Sequence, residues 1–344
     1  MKFNQVTIKD IARELGVSPS TVSRALKDHP DISPDTKKAV NELAVKLNYQ
    51  PNTVALSLRQ SKTNTIGVII PEIVHYFFST VISGIEDVAY SAGYNVMVTQ
   101  SNESYIREQS DLKALFNSRV DGMLISVSRQ TTNYEHLENI FAKGVPMVFF
   151  DRSADSIDTS KVIVDDFGGA KEAVIHLIEQ GCKRIAHLMS AKTLSIGMQR
   201  MQGYKEALKE NGLHIDDSMI IECPEGTKEQ GMNAMAQLLN LKNRPDAVFT
   251  SSDMLALGAM IAIKEAGLKI PEDVAVVGFS NWQFSEFVEP GLSTVDQPGF
   301  AMGQEAAKLL IRQIEADEDD VNTETKVLKT QLIIRGSSLR KKTK

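Results

Sequence analysis

No stretch of this 344-residue sequence approaches the roughly 20 consecutive apolar residues that span a bilayer, so a membrane-spanning helix is excluded. The opening "MKFNQVTIKD" has no apolar signal core, and the chain is expected to stay in the cytoplasm. Cysteine is scarce: Cys182 and Cys223 give neither a metal-ligand spacing nor a disulfide framework, and no metal or other cofactor is expected. The phosphate loop G-x-x-x-x-G-K-[ST], a G-x-G-x-x-G turn after the first strand and the G-x-S-x-G elbow are all missing. "DDFGGAKEAV" (165–174) does place two glycines at a helix start, where close helix packing accounts for them. The six histidines form no H-x-x-x-H pair, and His187, inside a strand, reads as a core residue. These absences leave an enzyme without its usual chemistry.

What is present begins with a charge asymmetry. Residues 1–62 hold ten Lys/Arg and six Asp/Glu, a net of +4, which leaves −10 on the remainder of a chain whose total is −6. A basic head on an acidic body suits a head that meets an anionic partner.

Three short helices are legible in the head. Thr7 caps "IKDIAREL", and Gly16 offers the left-handed turn that ends it. Ser18 caps the next helix with Pro19 at its first position, where a missing N–H costs nothing; Ser33 and Pro34 repeat the device. Val22, Ala25 and Leu26 form one buried stripe, and Val40, Leu43, Ala44 and Leu47 another. Two helices joined by a tight glycine turn, with a third behind them, predict a helix-turn-helix. Ser18, Pro19, Ser20, Thr21, Ser23 and Arg24 lie off the apolar stripe, on the face that would meet DNA.

"TIKDIARELGVSPSTVSRAL" followed by "NYQPNTVALSLR" resembles the DNA-binding head of the lactose-repressor (LacI/GalR) family, without a gap from Thr7 to Leu58. The resemblance implies DNA contacts from Thr7, Lys9, Ser18, Pro19, Ser20, Thr21, Ser23, Arg24, Lys27 and Tyr49, with Pro19 and Ser20 where the family varies most. It also makes "PNTVALSLR" (51–59) a hinge helix, with Asn52, Ala55 and Leu58 along one side and Leu58 as a wedge in the minor groove.

Beyond "SKTN" (61–64), apolar strand-like runs alternate with amphipathic helices: "TIGVII" (65–70), "NVMVT" (95–99), "GMLISV" (122–127), "PMVFF" (146–150), "RIAHLM" (184–189), "AVFTS" (247–251) and "VAVVGF" (274–279). Continuously apolar strands are buried on both faces, which predicts parallel sheets in an α/β fold. Two strand series, with a seam near 151–166, predict two doubly wound subdomains and a ligand cleft at their strand ends. The body resembles periplasmic sugar-binding proteins.

The expected architecture is therefore a small all-α helix-turn-helix head (1–50), a hinge helix and linker (51–62), and an α/β body of two doubly wound parallel-sheet subdomains (63–344). The first subdomain is expected to take about 63–161 plus 292–344, ending in one strand within "VLKTQLIIRGSSL" (327–339), and the second about 162–291. The resemblance and the chemistry of Asp, Arg and aromatic side chains point to Tyr76, Phe77, Phe78, Asp151, Arg200 and Asp253 as effector contacts. Where the family commonly has an Asp after "VVGF", this chain has Ser280, Asn281 and Trp282. Hydrogen bonding by Ser and Asn and stacking by Trp would still suit a sugar.

The function expected is a homodimeric repressor that binds double-stranded operator DNA under the control of a sugar or sugar derivative. A transport-type sugar-binding protein and a small-molecule hydrolase or kinase on the same body are the rivals. The tail "LRKKTK" has no heptad repeat for a tetramerising coiled coil, which favours a dimer.

Overall fold

The computed structural model describes residues 6–50, 62–316 and 322–340. The chain falls into two compact units, Met1–Thr63 and Asn64–Lys344. Asn52, Ala55 and Leu58, with the rest of the expected hinge helix, lie outside the described residues.

The first unit holds helices α1 (Ile8–Leu15), α2 (Pro19–Leu26) and α3 (Pro34–Lys46). Each begins on the expected residue. Thr7 donates to Asp10 Oδ2 from its backbone N–H (3.0 Å) and its hydroxyl (2.7 Å), while Ser18 and Ser33 accept the N–H groups of Thr21 and Thr36. Gly16 ends α1 at φ 65°, a conformation with little cost for glycine alone. Ile11, Ala12, Val22, Ala25, Val40, Leu43 and Ala44 close a small core.

The second unit carries two six-stranded sheets. The strands are β1 (Thr65–Ile70), β2 (Asn95–Gln100), β3 (Gly122–Ile125), β4 (Met147–Phe150), β5 (Lys161–Val164), β6 (Ile185–Met189), β7 (Ile220–Glu222), β8 (Ala247–Thr250), β9 (Ala275–Phe279), β10 (Ser293–Asp296), β11 (Thr325–Leu328) and β12 (Gln331–Ile333). The first sheet runs β11-β5-β4-β3-β1-β2 and the second β12-β10-β9-β8-β6-β7. Only β12 is antiparallel to its neighbour, with Val295 opposite Leu332. Every residue of β3, β4, β6, β8 and β9 is buried, as expected for strands covered on both faces.

The covering helices are α4 (Tyr76–Ser91), α5 (Tyr105–Asn117), α6 (Glu135–Phe141), α7 (Asp166–Glu179), α8 (Ser195–Glu210), α9 (Lys228–Leu239), α10 (Asp253–Glu265), α11 (Phe284–Phe287) and α12 (Gly299–Glu315). α12 packs on α4 through glycines: a Cβ on Gly84 would stand 2.0 Å from the Phe300 carbonyl, and one on Gly303 2.0 Å from that of Val81. The two backbones meet there because neither carries a side chain.

The subdomain limits differ from expectation in three places. β5 belongs to the first sheet, so the chain leaves the first lobe after Val164 rather than at 161. The first return comes slightly later than residue 292, after Asp296, because β10 is inserted into the second sheet beside β9. Its "STVD" is polar but satisfied inside that lobe: Thr294 Oγ1 donates to Asp253 Oδ1 (2.6 Å), and Ser293 and Ser338 share a 2.6 Å hydroxyl contact. The stretch 327–339 is likewise not one strand. β11 pairs with β5 and β12 with β10, the polar Lys329–Thr330 passing from one sheet to the other.

Candidate functional sites

On the head, Thr7, Lys9, Ser18, Pro19, Ser20, Arg24 and Lys27 are exposed, and Thr21, Ser23 and Tyr49 are half-buried. Ser18 and Thr21 hold each other (hydroxyl to hydroxyl, 2.8 Å), so part of their polarity serves the cap. Arg24 has only a loose ion pair, 4.0 Å from Asp31, with both side chains more than half exposed. Its guanidinium is available at the surface. Tyr49 packs against the head core, and burial raises its hydroxyl above the usual range.

In the body, a cavity of about 400 Å³ opens between the strand ends of the two sheets. The first lobe contributes His75, Phe77, Phe78, Glu103, Arg129, Asp151 and Arg152; the second contributes Ser190, Arg200, Ser251, Ser280, Trp282 and Gln297. Two contacts cross it. The rings of His75 and Trp282 meet edge to face at 4.6 Å, and Arg129 Nη1 donates to the Pro224 carbonyl at 2.7 Å.

Charge is closely matched around this space. Arg152 Nη1 grips both oxygens of Glu103 (3.0 and 2.8 Å), and Arg129 adds Nη2 to Oε1 (3.1 Å) and its backbone N–H to Oε2 (2.7 Å). Burial alone would raise the Glu103 carboxyl, but Arg152, with Arg129 behind it, holds it down at about 2. Arg200 donates to Asp166 from Nε (2.8 Å) and to the Ser251 carbonyl from Nη1 (2.6 Å), and its guanidinium lies 3.7 Å from the Phe279 ring centroid. Asp151, at φ 59° just after β4, is pushed up to about 6 by burial, against the pull of Arg152. Burial, then Arg152, lowers His75 to about 4 and keeps its ring neutral at neutral pH.

Of the expected effector contacts, Phe77, Phe78, Asp151, Arg200, Ser280 and Trp282 line the cavity; Tyr76, Asp253 and Asn281 do not. Asp253 is fully buried at the start of α10, where Oδ2 accepts from the Trp282 N–H (2.7 Å) and the Ser285 hydroxyl (2.9 Å). Asn281 is bonded to Asp296 (2.8 Å) and Arg335 (3.1 Å), and so is occupied within its own lobe. Glu103, Arg129, Arg152, His75 and Gln297 are lining residues that sequence reasoning missed. Arg152 had a signal, because it directly follows Asp151 at a strand end. His187 is the core residue expected, stacked on Phe249 at 5.0 Å with Nδ1 3.1 Å from the Phe249 carbonyl.

Residues 7–52 match the model of bacterial regulatory proteins of the lacI family, and residues 174–338 that of a periplasmic binding protein-like domain. The HTH-type transcriptional repressor CytR of Escherichia coli (strain K12) is 35% identical over 334 residues, 96% of each chain. The lac repressor dimer bound to operator and the anti-inducer ONPF superposes with a TM-score of 0.85 at 26% identity, over 98% of this chain and 100% of that one. The complex of the transcriptional regulator CelR with cellobiose gives 0.73 at 30% identity, over 97% and 100%. Among the described residues no helix is long and apolar enough to cross a membrane. With a capped helix-turn-helix, a body of two parallel-sheet lobes and relatives that are repressors rather than enzymes, the chain belongs to the LacI family of DNA-binding transcription regulators.

Proposed function

We propose that this chain acts as a cytoplasmic homodimeric repressor whose affinity for a pseudo-palindromic operator is set by a sugar or sugar derivative bound between the body's lobes. The observation that carries the reading is the cavity itself. Both lobes line it, two contacts cross it, and it lies at the strand ends where α/β sheets place their ligands. A ligand there has different contacts in open and closed lobes, and such a difference is what shifts an equilibrium between them. The solved relatives support it: one is a dimer on operator DNA with an anti-inducer, and another holds cellobiose.

On the head, the exposed Lys9, Pro19, Ser20, Arg24 and Lys27 would carry the DNA contacts, and Arg24 is the residue best placed to pair with a base or phosphate. Asn52, Ala55 and Leu58 would complete them in the minor groove. The test is selection of a duplex from genomic fragments by the full chain, followed by gel-shift titration with sugars. A retained palindromic fragment whose affinity changes with one sugar supports the reading; sequence-independent retention alone overturns it.

A further inference from the structure

The lining of the cleft restricts the chemistry of what it can hold. Its three guanidinium groups are already matched: Arg152 and Arg129 by Glu103, Arg200 by Asp166. Lys228, at the rim, is over a third exposed and stands 3.4 Å from Glu229. No cation in the lining is left over for an incoming phosphate or carboxylate, which would also meet Asp151, Glu72 and Glu103.

Polar atoms without partners tell the other half. His75 Nδ1, Arg152 Nε, Ser190 Oγ, Ser251 Oγ, Trp282 Nε1 and Gln297 Nε2 are all buried, all without a hydrogen-bond partner, and all on residues lining this one cavity. Arg152 Nε lies 3.6 Å from Asp151 Oδ2, outside hydrogen-bond distance. Buried groups of this kind are otherwise paired in nearly every protein, and most of these six are donors. Such a set is satisfied by an uncharged molecule rich in acceptors.

Trp282 is anchored through its backbone. Asp253 holds the Trp282 backbone N–H, Ser285 and Thr294 together on one buried carboxylate. Ser280 and Asn281 precede it at φ 100° and 45°, turning the chain sharply so that the indole reaches His75 of the other lobe. The backbone and ring of Trp282 are thus held before a ligand arrives, and little ordering is lost when an acceptor meets the unpartnered indole N–H.

Building on the ligand cleft proposed above, we propose that it takes an uncharged ligand with a hydrogen-bond acceptor for Trp282 Nε1, and that this contact, positioned by Asp253, sets its affinity. The chain's only tryptophan is its own reporter. The full chain is titrated by tryptophan emission with neutral and anionic pairs: D-glucose and glucose 6-phosphate, D-ribose and ribose 5-phosphate, adenosine and its 5′-monophosphate, and cellobiose. A neutral member is expected to shift the emission and its anionic partner to bind far more weakly. Calorimetry on Trp282→Phe, which keeps a ring and removes the N–H, is expected to show binding weakened about tenfold or more, with melting close to that of the unaltered chain. Equal affinity in Trp282→Phe, or tighter binding of the phosphorylated partner, overturns the inference while leaving the cleft a ligand site. Binding by no member at all overturns both.

Discussion

Arg129 of the first lobe donates from Nη1 to the carbonyl of Pro224 in the second, 2.7 Å away across the cleft. The same guanidinium is braced from behind by Glu103, so the bond is a strut and not a loose surface contact. Arg129→Ala removes one of the two cross-cleft contacts without emptying a core. Amide exchange measured by mass spectrometry is expected to accelerate in residues 128–131 and 223–227, with global stability altered by less than about 1 kcal/mol. Unchanged exchange would show that the lobes do not depend on this bond.

Glu103→Gln should be far more costly. The substitution takes from the buried Arg152 guanidinium the carboxylate that accepts its hydrogen bonds and leaves only the more distant Asp151, 3.6 Å away, a loss of up to about 3–5 kcal/mol, to be read from urea denaturation at pH 7. The acid dependence has a definite sign. Because the folded carboxyl sits at about 2, below its ordinary value, its stabilisation is complete above the unfolded value near 4.5 and fades as pH falls toward 2. Glu103→Gln should lose that part of the acid-induced destabilisation.

Asp151 acts in the opposite direction. Its folded value, about 6, lies above the ordinary 3.8, so its ionisation costs the folded chain up to about 3 kcal/mol as pH rises between the two. Asp151→Asn should therefore gain stability relative to the unaltered chain on going from pH 4 to pH 7. A constant difference across that range would mean that Asp151 ionises in the fold at or below its ordinary 3.8.

Gly278 lies on β9 beside the carboxylate that holds Trp282. A Cβ there would stand 2.1 Å from Asp253 Oδ1, so Gly278→Ala must displace the carboxylate. Stability should fall by about 1–3 kcal/mol, and the tryptophan emission should move to the red with easier acrylamide quenching. An unchanged spectrum would separate Asp253 from the placement of Trp282.

On the head, Arg24→Ala should lose about 1–3 kcal/mol of operator affinity and relax preference at one base pair, if the guanidinium pairs with guanine. Lys27→Ala should weaken all duplexes alike and reduce the salt slope by about one. Titrations at several salt concentrations distinguish the two. Equal affinity in both variants would place the DNA surface elsewhere.

The head was legible almost residue by residue because its signals are local. Ser18 with Pro19, Ser33 with Pro34 and Gly16 each determine a helix end within four residues. The central strands were legible because burial on both faces leaves nothing but apolar residues. β10 was not, since its Ser293 and Thr294 are buried by hydrogen bonds to Ser338 and Asp253, partners distant in sequence. The cleft suffered the same ambiguity. Asp253 and Asp151 look alike as strand-end aspartates, yet one braces a loop while the other faces the cavity. Glu103 and Arg129 sit in loops, where no periodicity singles out a residue.

The chain passes between the lobes three times, after Val164, after Asp296 and between Leu328 and Gln331. This has a bearing on synthesis. α12 packs on α4 through Gly84 and Gly303, and β11 forms the last strand of the first sheet, so the lobe begun at Thr65 lacks these parts until residues 299–328 have emerged from the ribosome. The head, complete by residue 50, can fold hundreds of residues earlier. A nascent chain thus presents a finished head long before its body can close, and the two lobes are completed almost together, by β11 and then β12.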